Sequence, residues 1–536
     1  MRKGDNSANG RSYGIYRQTQ GGYAGAHVAA AYRPNNSKRV ETNSRDGFLS
    51  IANAFLIFWL IVGSFVAVVV APCCGADEST HIARAMQVAQ GVFLPQQVDF
   101  DKIDRCITNP DKKYAHTDLY GGETDKAVYD LMVACTPFVN GTDKNPSFPW
   151  WKGDRFSTIG SMGNDSVVWA FSNTAVNSPL SYVPYALACL VVRLITANPV
   201  IVVIAMRLAG VLTFGLLVRF AIKNTPVGKN VMLLVAILPV SIGVNSVITA
   251  DMLANAVSLI YLSFILRFVF CYDRIRVCDF VGLGISICML ALLKMPSIVF
   301  GLLLFFIFVV NRMWEDRGHT AAIAVMGFTA LVLFGLWSLR IRGIDTYVIW
   351  GVKGVDSAAQ LSYMLRHPLA TASAIMESIM NSDMGMFYIC MFHAQSMPLW
   401  ATVFALVCGV ACDASDGLPA KRSRSLPVIL LIVCAIFIVL LYVALYLTFT
   451  KVGASVVKGV QSRYYLPVIY PMLLSMEFIC VKRLAKRRPR EYDDDPTLVF
   501  RPCQLISLPM VGVMVLIFLF VIRMLALWLP FLTLSI

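Results

Sequence analysis

Charge is what this 536-residue sequence has least of. Only 15% of its residues are Asp, Glu, Lys or Arg, while 57% are hydrophobic. A soluble globular chain is about a quarter charged. So little charge cannot cover a molecule of this size with a solvated surface, which excludes an ordinary soluble protein and leaves a multi-pass membrane protein. Acidic residues are the scarcer sign, 32 against 46 basic, for a net charge of +14. The basic surplus lies mostly in short loops between apolar runs, so it is an orientation signal and not a nucleic-acid surface. The sequence also lacks a nucleotide-binding fingerprint, a cluster with metal-ligand spacing and an internal repeat. Cysteine is not scarce, at 14. Most of these residues sit inside apolar runs, where Cys acts as a small hydrophobe. Cys106 and Cys135 lie in a polar loop, where a disulfide between them is left open.

The apolar runs predict an all-α polytopic membrane protein of about 11 transmembrane helices, the first with roughly the 20 apolar residues a bilayer core requires. Residues 1–46, rich in Gly, Ser, Asn and Tyr with scattered Lys and Arg, read as a disordered basic tail on the cytoplasmic side. Residues 47–481 form the membrane domain, 482–504 a charged cytoplasmic loop and 505–536 the last helix. The spans expected are Phe48–Val70, Pro199–Phe220, Val231–Ile248, Met252–Phe270, Phe280–Leu293, Ser297–Val310, Ala321–Leu339, Leu399–Cys412, Val428–Thr448, Tyr464–Cys480 and Leu505–Leu529. Residues 71–177 are a large first external loop of short helices and irregular segments. A second external loop, 340–397, carries an amphipathic helix around Pro368–Met380.

Segment 178–196, SPLSYVPYALACLVVRLIT, is apolar enough to cross, but Pro179 and Pro184 interrupt it. Its placement decides the sidedness of everything after it. If it lies along the membrane, Arg219, Lys223, Lys229, Arg267, Arg274, Arg276, Arg312 and Arg317 share the side of the basic tail. If it crosses, they move to the far side. The positive-inside bias therefore favours an interfacial helix.

The stretch after the first span, APCCGADESTHIARAMQVAQG at 71–91, carries the first candidate chemistry. Ile82, Met86, Ala89 and Phe93 recur at helical spacing, and Asp77, His81 and Arg84 fall on the opposite face. An acidic residue there is also a common helix cap. Beyond it, Arg207, Asp251, Lys294 and Arg463 collect toward the external ends of spans. Such residues usually face a cavity and serve a function when placed in a span, which singles out Arg207. This is the set that sugar transfer from a membrane-bound lipid phosphate needs. Arg holds phosphate through a planar fork and Lys adds a compact charge. A carboxylate takes the proton from an attacking hydroxyl.

Five stretches resemble the DUF2142 family of predicted bacterial membrane proteins. The family's Pro-Asp-Glu-Pro-x-His element stands here as Ala76-Asp77-Glu78-Ser79-Thr80-His81, followed by Arg84, with both prolines replaced. SPLSYVP at 178–184, Arg207-Leu208 with LPVSIGVNSVITAD ending at Asp251, Lys294-Met295-Pro296 and GVQSRYYLP at 459–467 follow in family order. The family's fold looks like the GT-C class of glycosyltransferases that use lipid-linked sugars. That likeness implies a catalytic base at Asp77 or Glu78 and a segment 178–196 lying along the membrane. The ionisable residues at the span ends supply a substrate-binding set of His81, Arg84, Arg207, Asp251, Lys294 and Arg463. The likeness also implies a polyprenyl-phosphate-linked sugar as donor, a cell-envelope polysaccharide or glycoconjugate as acceptor, and action at the outer face of the plasma membrane among membrane lipids. The cofactor is unspecified, and a divalent metal is left open. Residues 95–165 match nothing in the family pattern and are read as setting acceptor choice. The rival expectations are a flippase or exporter of lipid-linked saccharides, and a non-catalytic membrane protein.

Overall fold

The computed structural model describes residues 50–139, 150–152, 154–163, 165–381, 390–391, 395–396, 399–414, 425–485 and 505–528. All belong to the unit Asp46–Ile536. The basic tail 1–46, residues 486–504 of the charged loop, and Lys421, Arg422 and Arg424 lie outside the described residues.

Helix α1 (Ile51–Val69) contains no charged residue and is capped by Ser50, whose Oγ accepts from the Asn53 amide at 3.3 Å. It stops just ahead of Pro72, which has no N–H to extend it. The loop that follows folds as α2 (Glu78–Ala89), β1 (Gln96–Gln97), β2 (Tyr120–Asp125), α3 (Lys126–Val139), α4 (Asp154–Ser157), β3 (Ser166–Ala170) and α5 (Ser172–Ala175). The strands make an antiparallel sheet with β2 in the centre, Gly121 opposite both Gln96 and Ala170. This sheet is an addition to the all-helical expectation. Gly121-Gly122 reads as a turn in the sequence but lies inside β2. A Cβ on Gly121 would come within 2.1 Å of the Trp169 carbonyl oxygen, so only glycine allows β3 that close. Cys106 is exposed and Cys135 buried, and neither is in a disulfide.

A 3₁₀ turn, Pro179–Tyr182, leads into α6 (Val183–Arg193). Eleven residues rise about 16 Å, short of a ~30 Å hydrocarbon core. Tyr185 and Cys189 are buried and Leu187, Leu190 and Leu194 exposed, as in a half-buried helix. Helix α7 (Pro199–Asn224) starts on an Asn198 cap with Pro199 in its first turn. It packs on α1 through Trp59, whose Nε1 donates to the Val211 carbonyl at 2.8 Å and whose ring meets Phe214.

The expected span Val231–Ile248 is not one helix. It is broken at Leu238-Pro239 into α8 (Lys229–Ile237) and α9 (Pro239–Asn245), because Pro239 offers no amide to the turn before it. Asp413 closes the start of α8 from a distance, accepting from the Asn230 and Val231 amides at 3.0 and 2.8 Å. Helix α10 (Asp251–Phe270) is buried nearly all round and forms the centre of the bundle. Beside it stand α11 (Val277–Leu293) and the 3₁₀ segment Met295–Gly301 with α12 (Leu302–Val310), and α13 (Arg317–Arg340) packs on α11. Helix α15 (Pro368–Asn381) stands where the amphipathic helix was expected, and a further short helix, α14 (Ser357–Arg366), precedes it. A two-stranded ribbon, Cys390–Met391 with Gln395–Ser396, precedes α16 (Leu399–Ala414), α17 (Leu426–Thr448), α18 (Leu466–Ala485) and α19 (Leu508–Trp528).

Among the described residues five helices are long and apolar enough to cross a membrane: α1, α7, α10, α13 and α17. The shorter apolar helices Val277–Leu293, Met295–Val310, Ala401–Asp413 and Leu508–Arg523 stand at other expected spans. A separate small core joins the two polar loops. Phe100, Ile103, Tyr114 and Leu119 of the first pack on Tyr347, Val348 and Ile349 of the second. It fixes the first loop over the helix ends.

Candidate functional site

Four ionisable residues from four distant segments meet at one end of the bundle. Asp77 precedes α2, Asp251 opens α10, Lys294 closes α11, and Arg463 lies in the 3₁₀ turn Ser462–Tyr465 ahead of α18. Arg463 Nη2 donates to Asp77 Oδ2 at 2.6 Å, and its Nη1 to the Ala76 carbonyl at 3.1 Å. Its Nε lies 3.7 Å from Asp251 Oδ2, beyond hydrogen-bond length, and is buried with no hydrogen-bond partner among the described residues. Lys294 Nζ donates to Asp251 Oδ1 at 2.8 Å. The Tyr464 ring lies 5.0 Å from Lys294 Nζ and 5.1 Å from Arg463 Cζ, within cation–π range of both. Asp251 sits at a helix N-terminus and Lys294 at a helix C-terminus, where each charge suits the local dipole.

Asp77 is the most open of the four, its side chain 30% exposed against 7% for Arg463. Its backbone is left-handed, φ 57° and ψ 20°, a conformation most L residues avoid. Its side chain makes no capping bond to α2. The cap reading therefore does not describe how this carboxylate is used. It is turned to Arg463 from a backbone conformation of the kind that clusters at functional sites.

Glu78 and Arg207, expected as a rival base and a phosphate holder, do something else. Both side chains are fully enclosed, and they face each other. Arg207 Nε and Nη2 bond Glu78 Oε1 and Oε2 at 2.8 and 2.6 Å. Its remaining donors go to the Ala67, Val70 and Ala71 carbonyls where the chain leaves α1. Glu78 in turn accepts from the amides of Gly75 at 3.2 Å and Ile248 at 3.1 Å. Every guanidinium N–H is used, and no face of either group is open to a ligand. The pair is a bolt through the end of α1, the start of α2, α7 and the turn before α10. It holds the backbone that presents Asp77 and Asp251.

Arg84 also differs from its expected role. It is fully buried, bonding Gln87 and the carbonyls of Val92 and Phe93, the latter two at 3.2 and 2.7 Å. It closes the end of α2 and does not join the cluster. His81 does stand beside it. Its Nδ1 lies 2.7 Å from the Tyr182 hydroxyl, which accepts from Asn177 Nδ2 at 3.1 Å. Tyr182 and Tyr464 were not singled out from the sequence, although both lie inside the matched stretches SPLSYVP and GVQSRYYLP. Tyr464 stands next to Arg463 in the sequence, whereas Tyr182 is far along the chain from every chosen residue and was marked only by its matched stretch. Among the described residues no three or more His, Cys, Asp or Glu side chains converge as a metal site.

Burial, and then the Arg463 guanidinium, hold the His81 imidazole down from 6.5 to about 4, against the pull of Asp77, Asp251 and Glu78. An unfolded chain takes up this proton near the ordinary value, and the folded chain only near the lowered one. His81 therefore costs stability as pH falls through that window, and adds no further loss below it. Thermal melts of the detergent-solubilised protein should fall more steeply over that range than those of His81→Gln. The carboxylates titrate in both proteins, so the difference isolates the imidazole. Parallel curves would mean that His81 is not enclosed in this way.

No curated protein and no solved structure is similar enough to this chain to match it. One family, described as a predicted membrane protein family (DUF2142), matches residues 60–472, a range that holds every residue of the charged cluster and of the bolt beneath it, and the chain belongs to that family.

Proposed function

We propose that this protein is a glycosyltransferase that moves a sugar from a polyprenyl-phosphate donor to a cell-envelope acceptor at the outer face of the plasma membrane. One observation carries the reading: a carboxylate with an exposed edge is held against Arg463, with Lys294 and Asp251 completing a charge-balanced set at the helix ends. Arg463 and Lys294 bind the lipid phosphate, which displaces the carboxylates from them. Asp77, released, accepts the proton of the acceptor hydroxyl. The hydroxyl oxygen bonds to the anomeric carbon as the bond from that carbon to the phosphate oxygen breaks. The electron pair leaves with polyprenyl phosphate. One base and one displacement give inversion. His81, neutral and beside the cluster, orients the sugar, and the enclosed Tyr182 hydroxyl fixes its ring. The outer-face assignment is supported by charge: Arg219, Lys223 and Arg267 lie at the opposite helix ends from Asp77 and Asp251.

A transport reading has one observation of its own. Below Asp251, Asn255 donates to Asn245 at 3.1 Å, and Asn245 to Ser241 at 3.0 Å, beside the broken α8–α9 helix. Polar residues and interrupted helices inside a bundle also suit a saccharide path. Purified protein in vesicles, supplied with labelled polyprenyl-phosphate sugars and envelope glycans, separates the two. Transfer of label with release of polyprenyl phosphate is the expected result. Movement of intact donor across the bilayer, with no bond broken, would replace the enzyme by a flippase.

A further inference from the structure

A groove of about 600 Å³ runs between α12 and α13, with Ile298, Leu302, Phe305, Gly327, Leu331 and Leu440 in its walls. Thr320 brings the one side-chain hydroxyl among its lining residues, and it is already bonded to the Met313 and Asp316 carbonyls. The groove follows α13 from Thr320 to Leu331, about 16 Å of helix, or half a hydrocarbon core. Phe305 and Leu331 are 67% and 60% exposed, so it opens sideways, where lipid would be. Its upper end is tied to the charged cluster. Ile298 lies four residues beyond Lys294 in the 3₁₀ segment, about 8 Å along its axis.

Two glycines in the lining point to an occupant. Gly301 has an ordinary φ of −55°, and Gly327 lies within α13. A Cβ added to either would meet nothing within 4 Å. Neither backbone conformation nor a close neighbour requires glycine there, although glycine inside a helix costs about 0.5–1 kcal/mol relative to alanine. What both residues preserve is empty volume.

We infer that this groove takes the hydrocarbon tail of the polyprenyl-phosphate donor, with its phosphate at Lys294 and Arg463. A single slot leading away from Lys294 and Arg463 fits a one-chain anionic lipid, whose phosphate takes the place of their carboxylates, better than a two-chain phospholipid. The inference rests on the proposed transferase reading and adds the element that selects the donor by its chain.

The test fills the groove. Gly327→Leu and Ala324→Trp project into it from a helix face with room, and Gly327→Leu also raises helix propensity. Purified variants in vesicles are compared on a long-chain polyprenyl-phosphate sugar and a short water-soluble analogue. The expected result is a KM for the long donor raised roughly tenfold, with kcat and the short donor unchanged. Equal effects on both donors, or none on either, would overturn the inference. A second arm needs no turnover: a photoreactive polyprenyl phosphate without sugar should crosslink to peptides of α12 and α13. Excess polyprenyl phosphate should compete, and phosphatidylglycerol should not. Equal competition by phosphatidylglycerol makes the groove a seat for bulk lipid and overturns the inference. Groove crosslinking in a protein that turns over no donor would support the tail site while removing the transferase reading.

Discussion

Arg207→Met should leave little folded protein in the membrane. The variant removes a guanidinium whose five donors are all in use and leaves Glu78 charged inside an enclosed site. Losing one partner of a buried ion pair costs about 3–5 kcal/mol, a large share of the roughly 5–15 kcal/mol that holds a folded protein together. The damage is local as well. The carbonyls at the end of α1 lose their partner, and the link from α2 to the Ile248 turn goes slack. Arg207→Lys keeps the charge but has one nitrogen where the fork had three, so it should fall between the two. Pairing Arg207→Met with Glu78→Gln removes the stranded charge and should recover much of the yield. Size-exclusion profiles and melting temperatures in detergent read all four proteins. A normal yield and melting temperature for Arg207→Met alone would show that the bolt is not what fixes the helix ends. Glu78→Gln, where it folds, should keep transfer activity, since Asp77 remains.

The long apolar runs were readable because a bilayer leaves little choice. About twenty mostly apolar residues with few charges make a helix, and α1, α7, α10, α13 and α17 fall where such runs are. The same logic failed at 231–248, where hydrophobicity is continuous but Pro239 breaks the hydrogen-bond ladder. Composition reports lipid preference, and only the proline reports the kink. The sheet of the first loop was missed because β1 is two residues long and Gly121-Gly122 looks like a turn. A glycine admitted for close approach of another strand cannot be told from one admitted for a turn without the strand. The charged cluster was legible as a set, because acids and bases in a charge-poor chain stand out. Its internal pairing was not. Spacing cannot say that Asp77 meets Arg463 across 386 positions while its neighbour Glu78 faces Arg207. Adjacent residues at a helix start point to different sides, so one carboxylate was left at the surface and the other was sealed inside.

That difference between neighbours sets the sharpest functional expectation. Asp77→Asn should insert and melt like the parent protein yet lose transfer by about 10²–10⁴-fold, the contribution of a positioned base. The amide oxygen can still accept from Arg463 Nη2, so the fold of the turn is kept. What is lost is the charge that takes the acceptor's proton. Donor binding should not weaken. With one anion fewer competing for Arg463, a phosphate meets a less engaged guanidinium, and KM for the donor should stay level or fall while kcat collapses. Asp251→Asn should behave in the opposite sense. It loosens Lys294, which it holds at 2.8 Å, without touching the base, so its effect should appear in KM first. Initial rates with a labelled polyprenyl-phosphate sugar, across donor concentrations, separate the two patterns. If Asp77→Asn folds and turns over at the parental rate, no base acts at this position. The contact between Asp77 and Arg463 then serves only to hold the 3₁₀ turn before α18 against the end of α1. In that event the same assay on Asp251→Asn decides whether the cluster has a second base or none.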